Sequence, residues 1–249
     1  FPGMYRELKT DLNDPIKSYF LGVRGGYALG FLGIMLIITS YLLQTKLGLS
    51  YPLERLFGIF FIFFAVSAAV SFEIPMLFPP RLRENKYLSP KIFMSTLLGN
   101  ISGSLLFAFL LYFLGAWTLG GLEFIAHMVI TASQNLESNN YLLFLKGTML
   151  IFFLCSTIGL ISNVEQKFLK IAILALSLSL CYILKIDQLI IQIFLLPASY
   201  LAQRSILLNT INPRFTIEYV TILSSAYILG GTLYMGASYG FKNLKEKSA

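Results

Sequence analysis

Ile92–Leu122, IFMSTLLGNISGSLLFAFLLYFLGAWTLGGL, is 31 residues without one charged side chain. About 20 helical residues at roughly 1.5 Å rise cross the hydrocarbon core of a bilayer, so this stretch is long enough to span one. Immediately before it comes Pro79–Lys91, PPRLRENKYLSPK, with four basic side chains. Before that lies Leu56–Phe78, 23 residues whose only charge is Glu73. Two membrane-length apolar runs joined by a short basic segment read as a transmembrane hairpin whose loop faces the cytoplasm.

Composition extends this reading to the whole chain. Of 249 residues, 56% are hydrophobic and 12% charged, outside the usage of soluble domains. The fold class this predicts is all-α, a polytopic membrane helix bundle. Six transmembrane helices are expected at about Gly25–Leu43, Leu56–Phe78, Ile92–Trp117, Tyr141–Ile161, Phe168–Leu184 and Thr216–Met235. A seventh apolar stretch, Leu189–Leu201, is short for a crossing and fits a re-entrant or interfacial element before the last span. The domain organisation is then a cytoplasmic amphipathic lead (1–24), a transmembrane domain (25–240) carrying the loop 79–91, and a cytoplasmic tail (241–249).

The net charge of +7 falls at the ends of apolar spans. It therefore reads as topology signals and contacts with anionic headgroups, not as a nucleic-acid surface. With six spans, thirteen basic residues share the cytoplasmic side: Arg6, Lys9, Lys17, Arg24, Arg81, Arg83, Lys86, Lys91, Lys167, Lys170, Lys242, Lys245 and Lys247. Lys46, Arg55, Lys185, Arg204 and Arg214 fall opposite. Seven spans would give twelve against six, an alternative that charge counting only slightly disfavours. Ala116–Asn140 has neither Lys nor Arg and is expected to be an external loop. In the lead, Tyr5, Leu8, Leu12 and Ile16 form one helical stripe that suits the inner leaflet. Asn13-Asp14-Pro15 reads as a break followed by a helix start. This charged lead is unlike a secretory signal peptide.

Catalytic chemistry is sparse. There is no phosphate-binding G-x-x-x-x-G-K-[ST] loop, and His127 is the sole histidine, without ligands at metal spacing. Gly236–Gly240 matches G-x-S-x-G but ends a membrane helix, not a strand–turn–helix elbow. Cys155 and Cys181 lie in apolar runs and read as small buried hydrophobes. Glu73 is expected to pair with Arg81 or Arg83. No enzyme activity is expected. Gly26/Gly30, Gly99/Gly103 and Gly236/Gly240 have the G-x-x-x-G spacing that lets helix backbones approach. Gly99/Gly103, beside Asn100, Ser102 and Ser104, is read either as packing within the chain or as a dimer contact.

Together these features resemble the permease subunits of ABC-2 type transporters. Arg83-Glu84, Leu88-Ser89-Pro90 and Lys91 loosely echo the loop between their second and third spans. Leu195-Leu196-Pro197, then Asn212-Pro213 before the last helix, and Phe241-Lys242 after it echo other family elements. The family's E-R-x-x-G-T is not intact, and its first pair is reversed. The resemblance implies a membrane-spanning exporter subunit for apolar or amphipathic cargo such as peptide, lipid or drug. It would be energised by a separate ATP-binding cassette ATPase subunit holding ATP and Mg, with no cofactor in this chain. The loop would be a proline-bounded coupling helix, with Arg81, Arg83, Glu84, Lys86 and Tyr87 docking on the ATPase. The partners implied are that ATPase, a second permease copy or homologue, and the lipid of the cell membrane. The competing readings are a non-catalytic membrane anchor or assembly subunit and an ion-coupled carrier.

Overall fold

The computed structural model describes residues 14–48, 50–71, 90–134, 139–162, 164–183, 188–206 and 210–247. The described secondary structure is helical throughout: α1 (Pro15–Tyr41), α2 (Tyr51–Ser71), α3 (Pro90–Phe113), α4 (Ala116–Leu119), α5 (Gly121–Ser133), α6 (Asn140–Ser162), α7 (Lys167–Ile183), α8 (Gln188–Gln203) and α9 (Pro213–Lys247). Four helical stretches are long and apolar enough to cross a membrane: Pro15–Lys46, Lys91–Phe113, Asn140–Ile161 and Thr216–Ser238. The chain is a multi-pass membrane protein built as a helix bundle.

The helix start read at Asn13-Asp14-Pro15 is present. The Asp14 carboxylate accepts a hydrogen bond from the Ile16 amide at 2.9 Å, and Pro15 takes the first helical position, where its missing N–H costs nothing. At its other end α1 widens into a π-turn, Leu42–Lys46. Its outer stripe, Ile16, Phe20, Tyr27, Phe31, Ile38 and Leu42, is exposed apolar surface, as expected of a helix facing lipid or another subunit.

The most extensive helix pairings are α1 with α3 and α6 with α9, and both are made by small residues. A Cβ on Gly22 or Gly26 would strike the α3 backbone at Thr96 or Asn100, and one on Gly99 or Gly103 would strike α1 at Tyr19 or Val23. The Ser104 hydroxyl donates to the Gly26 carbonyl at 3.1 Å across this contact. In the other pair a Cβ on Gly147 would sit 3.0 Å from that of Ala226, and one on Gly230 would sit 3.0 Å from Ile151 Cβ. Each pair therefore brings two backbones close enough for dispersion and direct hydrogen bonding to hold them, the forces available where lipid removes a hydrophobic drive.

Two expectations need correction. Ala116–Asn140 is not simply a loop: it contains α4 and α5, and α5 buries Phe124, Ile125, Met128, Val129 and Ala132. Period-3.6 apolar spacing over Phe124–Ala132 was the signal for it. Gly236–Gly240, expected to end the last membrane helix, instead lies inside α9, which runs on to Lys247. The lead 1–13 and Glu73, Lys185 and Asp187 lie outside the described residues.

Candidate functional site

The centre of the bundle is α8. From Ile191 to Ser199 it is buried on nearly every side, and its 16 residues make it about 24 Å long, too short to cross alone. The preceding helix, α7, ends at Ile183, and α8 begins at Gln188. Pro197 lies inside α8 and removes the amide that would bond to the Ile193 carbonyl. Around it, Phe194 packs on Phe107 of α3 with ring centroids 5.7 Å apart. Gly33 of α1 gives room to the same ring, since a Cβ there would lie 2.8 Å from Phe194 Cδ1. Ser199 donates to the Met128 carbonyl of α5 at 3.3 Å.

Two glutamines place polar groups in this apolar interior. The Gln203 amide donates to the Ile211 carbonyl at 2.7 Å and accepts from the Ile211 amide at 2.9 Å. It thereby closes the connection from α8 to α9. Gln192 is wholly buried, and neither its Nε2 nor its Oε1 has a hydrogen-bond partner.

A second polar group gathers where α1 ends. Lys46 Nζ pairs with Glu123 Oε2 at 2.6 Å, and the Tyr41 hydroxyl donates to the same oxygen at 3.1 Å. Ser40 Oγ lies 3.2 Å from His127 Nε2, and Gln44 Nε2 donates to Glu54 Oε2 at 2.7 Å. Gln44 and Lys46 both stand in the π-turn. Glu123 is held below its ordinary pKa by its hydrogen bond from Lys46, then by that from Tyr41. On α5, outside the four long spans, burial pulls the His127 pKa below its ordinary value, with Glu54 opposing. His127 is therefore a half-buried helix residue and not the external loop residue its sequence position suggested.

Glu54 is the buried member, at 3% exposure. Gln44→Leu is expected to cost about 1.5–3 kcal/mol, because it strips a donor from a buried carboxylate. Adding Glu54→Leu should recover part of that loss. Thermal unfolding of the two single variants and the double variant in detergent gives the coupling directly.

Gly26, Gly99 and Gly103 lie at the contact of α1 with α3 inside one chain, and Gly30 faces the Phe107 and Phe194 rings. Arg81, Arg83, Glu84, Lys86 and Tyr87 lie outside the described residues. Among the described residues no three His, Cys, Asp or Glu side chains cluster as metal ligands. Gln192, Gln203 and the Gln44–Glu54 pair went unremarked in the sequence. An amide inside an apolar run, as at Leu189–Leu201, was the available signal.

No family model and no curated protein matches this chain. Solved structures do. One, titled a pentameric formate channel with formate bound, superposes with a TM-score of 0.72 over 94% of this chain and 98% of its own, at 12% identity. The chain has the fold of a formate channel. A second, titled an FNT family ion channel, matches with a TM-score of 0.62 over 95% of this chain and 94% of its own, at 16% identity.

The formate-channel fold overturns the resemblance to ABC-2 permeases, and with it the ATP-driven exporter, the ATPase partner and the dimer. The motifs behind that resemblance have local explanations. Leu195-Leu196-Pro197 lies inside the continuous helix α8, with both leucines buried. Asn212-Pro213 starts α9, where Asn212 Oδ1 accepts from the Arg214 amide at 2.9 Å. A Leu-Pro pair inside a helix and an Asn-Pro pair at a helix start occur in any fold, so they could not identify an exporter.

Proposed function

We propose that this chain is the protomer of a membrane channel that passes a small monovalent anion of formate's class down its gradient. The observation that carries the reading is a match over nearly the full length of both chains to a pentameric formate channel. The chain acts as a homopentamer in the cell membrane. It crosses six times, with α7 and α8 together making one crossing. Both termini are cytoplasmic, following the basic residues. Conduction down a gradient involves no bond chemistry and no nucleotide, so the protein is not an enzyme.

Purified protein in liposomes is expected to pass formate without ATP, and to migrate in detergent at five times its 28.0 kDa protomer mass. Formate flux measured by light scattering, with and without ATP, tests the first point, and native mass spectrometry the second. Flux equal to that of empty liposomes would sink the channel reading.

A further inference from the structure

The outward face of α9 does not suit lipid. Arg214, Glu218, Thr221, Ser225, Leu229 and Thr232 are all exposed. At about 3.6 residues per turn they share one narrow stripe, opposite Leu223, Ala226 and Tyr227, which α9 buries completely. Of the six only Leu229 is a large apolar side chain, and Ile217 and Leu233 flank the stripe on either side. The paired helix of the other half, α3, shows what lipid favours: its exposed residues include Leu98, Leu106, Phe109, Leu110 and Phe113. Of the four long spans, that of α9 is the least apolar and also the least buried within its own chain. A helix left to lipid should show the reverse, because the less of it protein covers, the more apolar it must be. Glu218 adds a carboxylate to the stripe, held in place by the Asn140 amide of α6 at 2.7 Å, and ionisable groups on membrane helices almost always face protein or water. The hydroxyls of Thr221, Ser225 and Thr232 donate to carbonyls of α9 itself, at 2.8, 2.8 and 2.9 Å. They need no further partner and leave a shallow surface that another helix can approach closely.

We infer that this α9 stripe is a face on which a second copy of the chain docks. The inference rests on the channel reading above, whose match to a pentameric structure supplies the occupant, and it adds which surface meets the neighbour. A ring of five closes only through heterologous contacts, so the stripe meets a different face of the next copy and not its own twin. The neighbour brings the larger side chains, and α9 the shallow surface that receives them. Such a contact lets the last span be less apolar than the others, since its hydroxyls leave lipid without losing their hydrogen bonds.

Ser225→Leu separates the two environments by sign. Facing lipid, exchange of a hydroxyl for an apolar side chain would leave the assembly unchanged or stabilise it. Facing a packed neighbour, the added bulk is expected to weaken each subunit contact about five- to hundredfold. Native mass spectrometry on dilution in detergent reads this as loss of the five-chain species with folded single chains remaining. The second arm replaces Ser225 with p-benzoylphenylalanine and irradiates the protein in membranes. A covalent ladder at multiples of the 28.0 kDa chain is expected, because heterologous contacts continue around a ring. If the wild type holds five chains but the probe joins only lipid, the α9 assignment is wrong and the pentamer stands. Ser225→Leu assembling as firmly as the wild type would overturn it equally. If neither Ser225 variant folds, the same probe at Thr232 decides, and adducts with lipid alone again overturn the assignment. If the wild type is a single chain in both membrane and detergent, the pentamer and the docking face fall together.

Discussion

Gly26→Leu is expected to abolish recovery of folded protein. The new side chain would point into the α3 backbone, with the Asn100 carbonyl, the Ser104 amide and the Gly103 Cα all within 2.8 Å of its Cβ. Overpacking a core against movable side chains costs about 1–3 kcal/mol, and here the obstacle is backbone on a helix whose Phe107 is packed against both Tyr27 and Phe194. Separation of α1 from α3 is the remaining escape, and it would also break the Ser104–Gly26 hydrogen bond. The loss should therefore exceed about 3 kcal/mol, in the range reserved for a named core defect. Gly103→Leu should match it, since its Cβ meets the Val23 carbonyl from the opposite side. Gly236→Ala supplies the contrast: nothing lies within 4 Å of its Cβ, and Ala in a helix is favoured over Gly by about 1 kcal/mol. Size-exclusion profiles and thermal unfolding in detergent read all three. A folded, smaller assembly from Gly26→Leu would mean instead that these glycines face a second subunit.

The membrane bundle was legible because hydropathy, helix length and the placement of basic residues all report one property, the solvent around each segment. The same logic explains why the G-x-x-x-G pairs could be found but not assigned. Spacing shows that Gly26 and Gly103 permit close approach, while the choice between an intramolecular and an intersubunit partner depends on topology. What misled was reliance on charge. Attention to Pro79–Lys91 and to Glu73 put the functional weight on a basic loop, and generic Leu-Pro and Asn-Pro pairs then suggested an exporter. The polar groups that the fold brings to its centre are neutral, Gln192, Ser199 and Gln203, and an isolated glutamine raises no alarm in a charge count. Nor does a single sequence show that α5, an amphipathic helix without basic residues, packs on α8 instead of lying as a loop. A repeated plan also went unseen. α1 with α3 and α6 with α9 are paired through small residues, yet Gly26 against Gly103 and Gly147 against Ala226 share no sequence register.

Gln203→Leu is expected to be the most damaging single change that leaves packing volume almost untouched. The side chain makes two buried hydrogen bonds to one residue, at 2.7 and 2.9 Å to the carbonyl and amide of Ile211. This is the pairing a β-bridge partner would offer. Ile211 is itself fully buried and stands in the connection to α9, where no helix supplies its backbone with partners. Replacement by Leu would orphan one donor and one acceptor, each at about 1–3 kcal/mol. The sum is about 2–6 kcal/mol, a large part of the stability of an ordinary domain. Gln203→Glu separates the two bonds. The carboxylate can still accept from the Ile211 amide, but ionised it sets a charge against the Ile211 carbonyl. Its loss should therefore approach that of Leu at neutral pH and shrink on acidification, once protonation restores a donor. Thermal unfolding in detergent between pH 5 and pH 8 reads this. A Glu variant whose stability does not respond to pH, or a Leu variant as stable as the wild type, would show that Gln203 does not hold the α8–α9 connection closed. The same helix carries Gln192 three turns earlier, so the clamp at Gln203 fixes where that amide stands in the bundle.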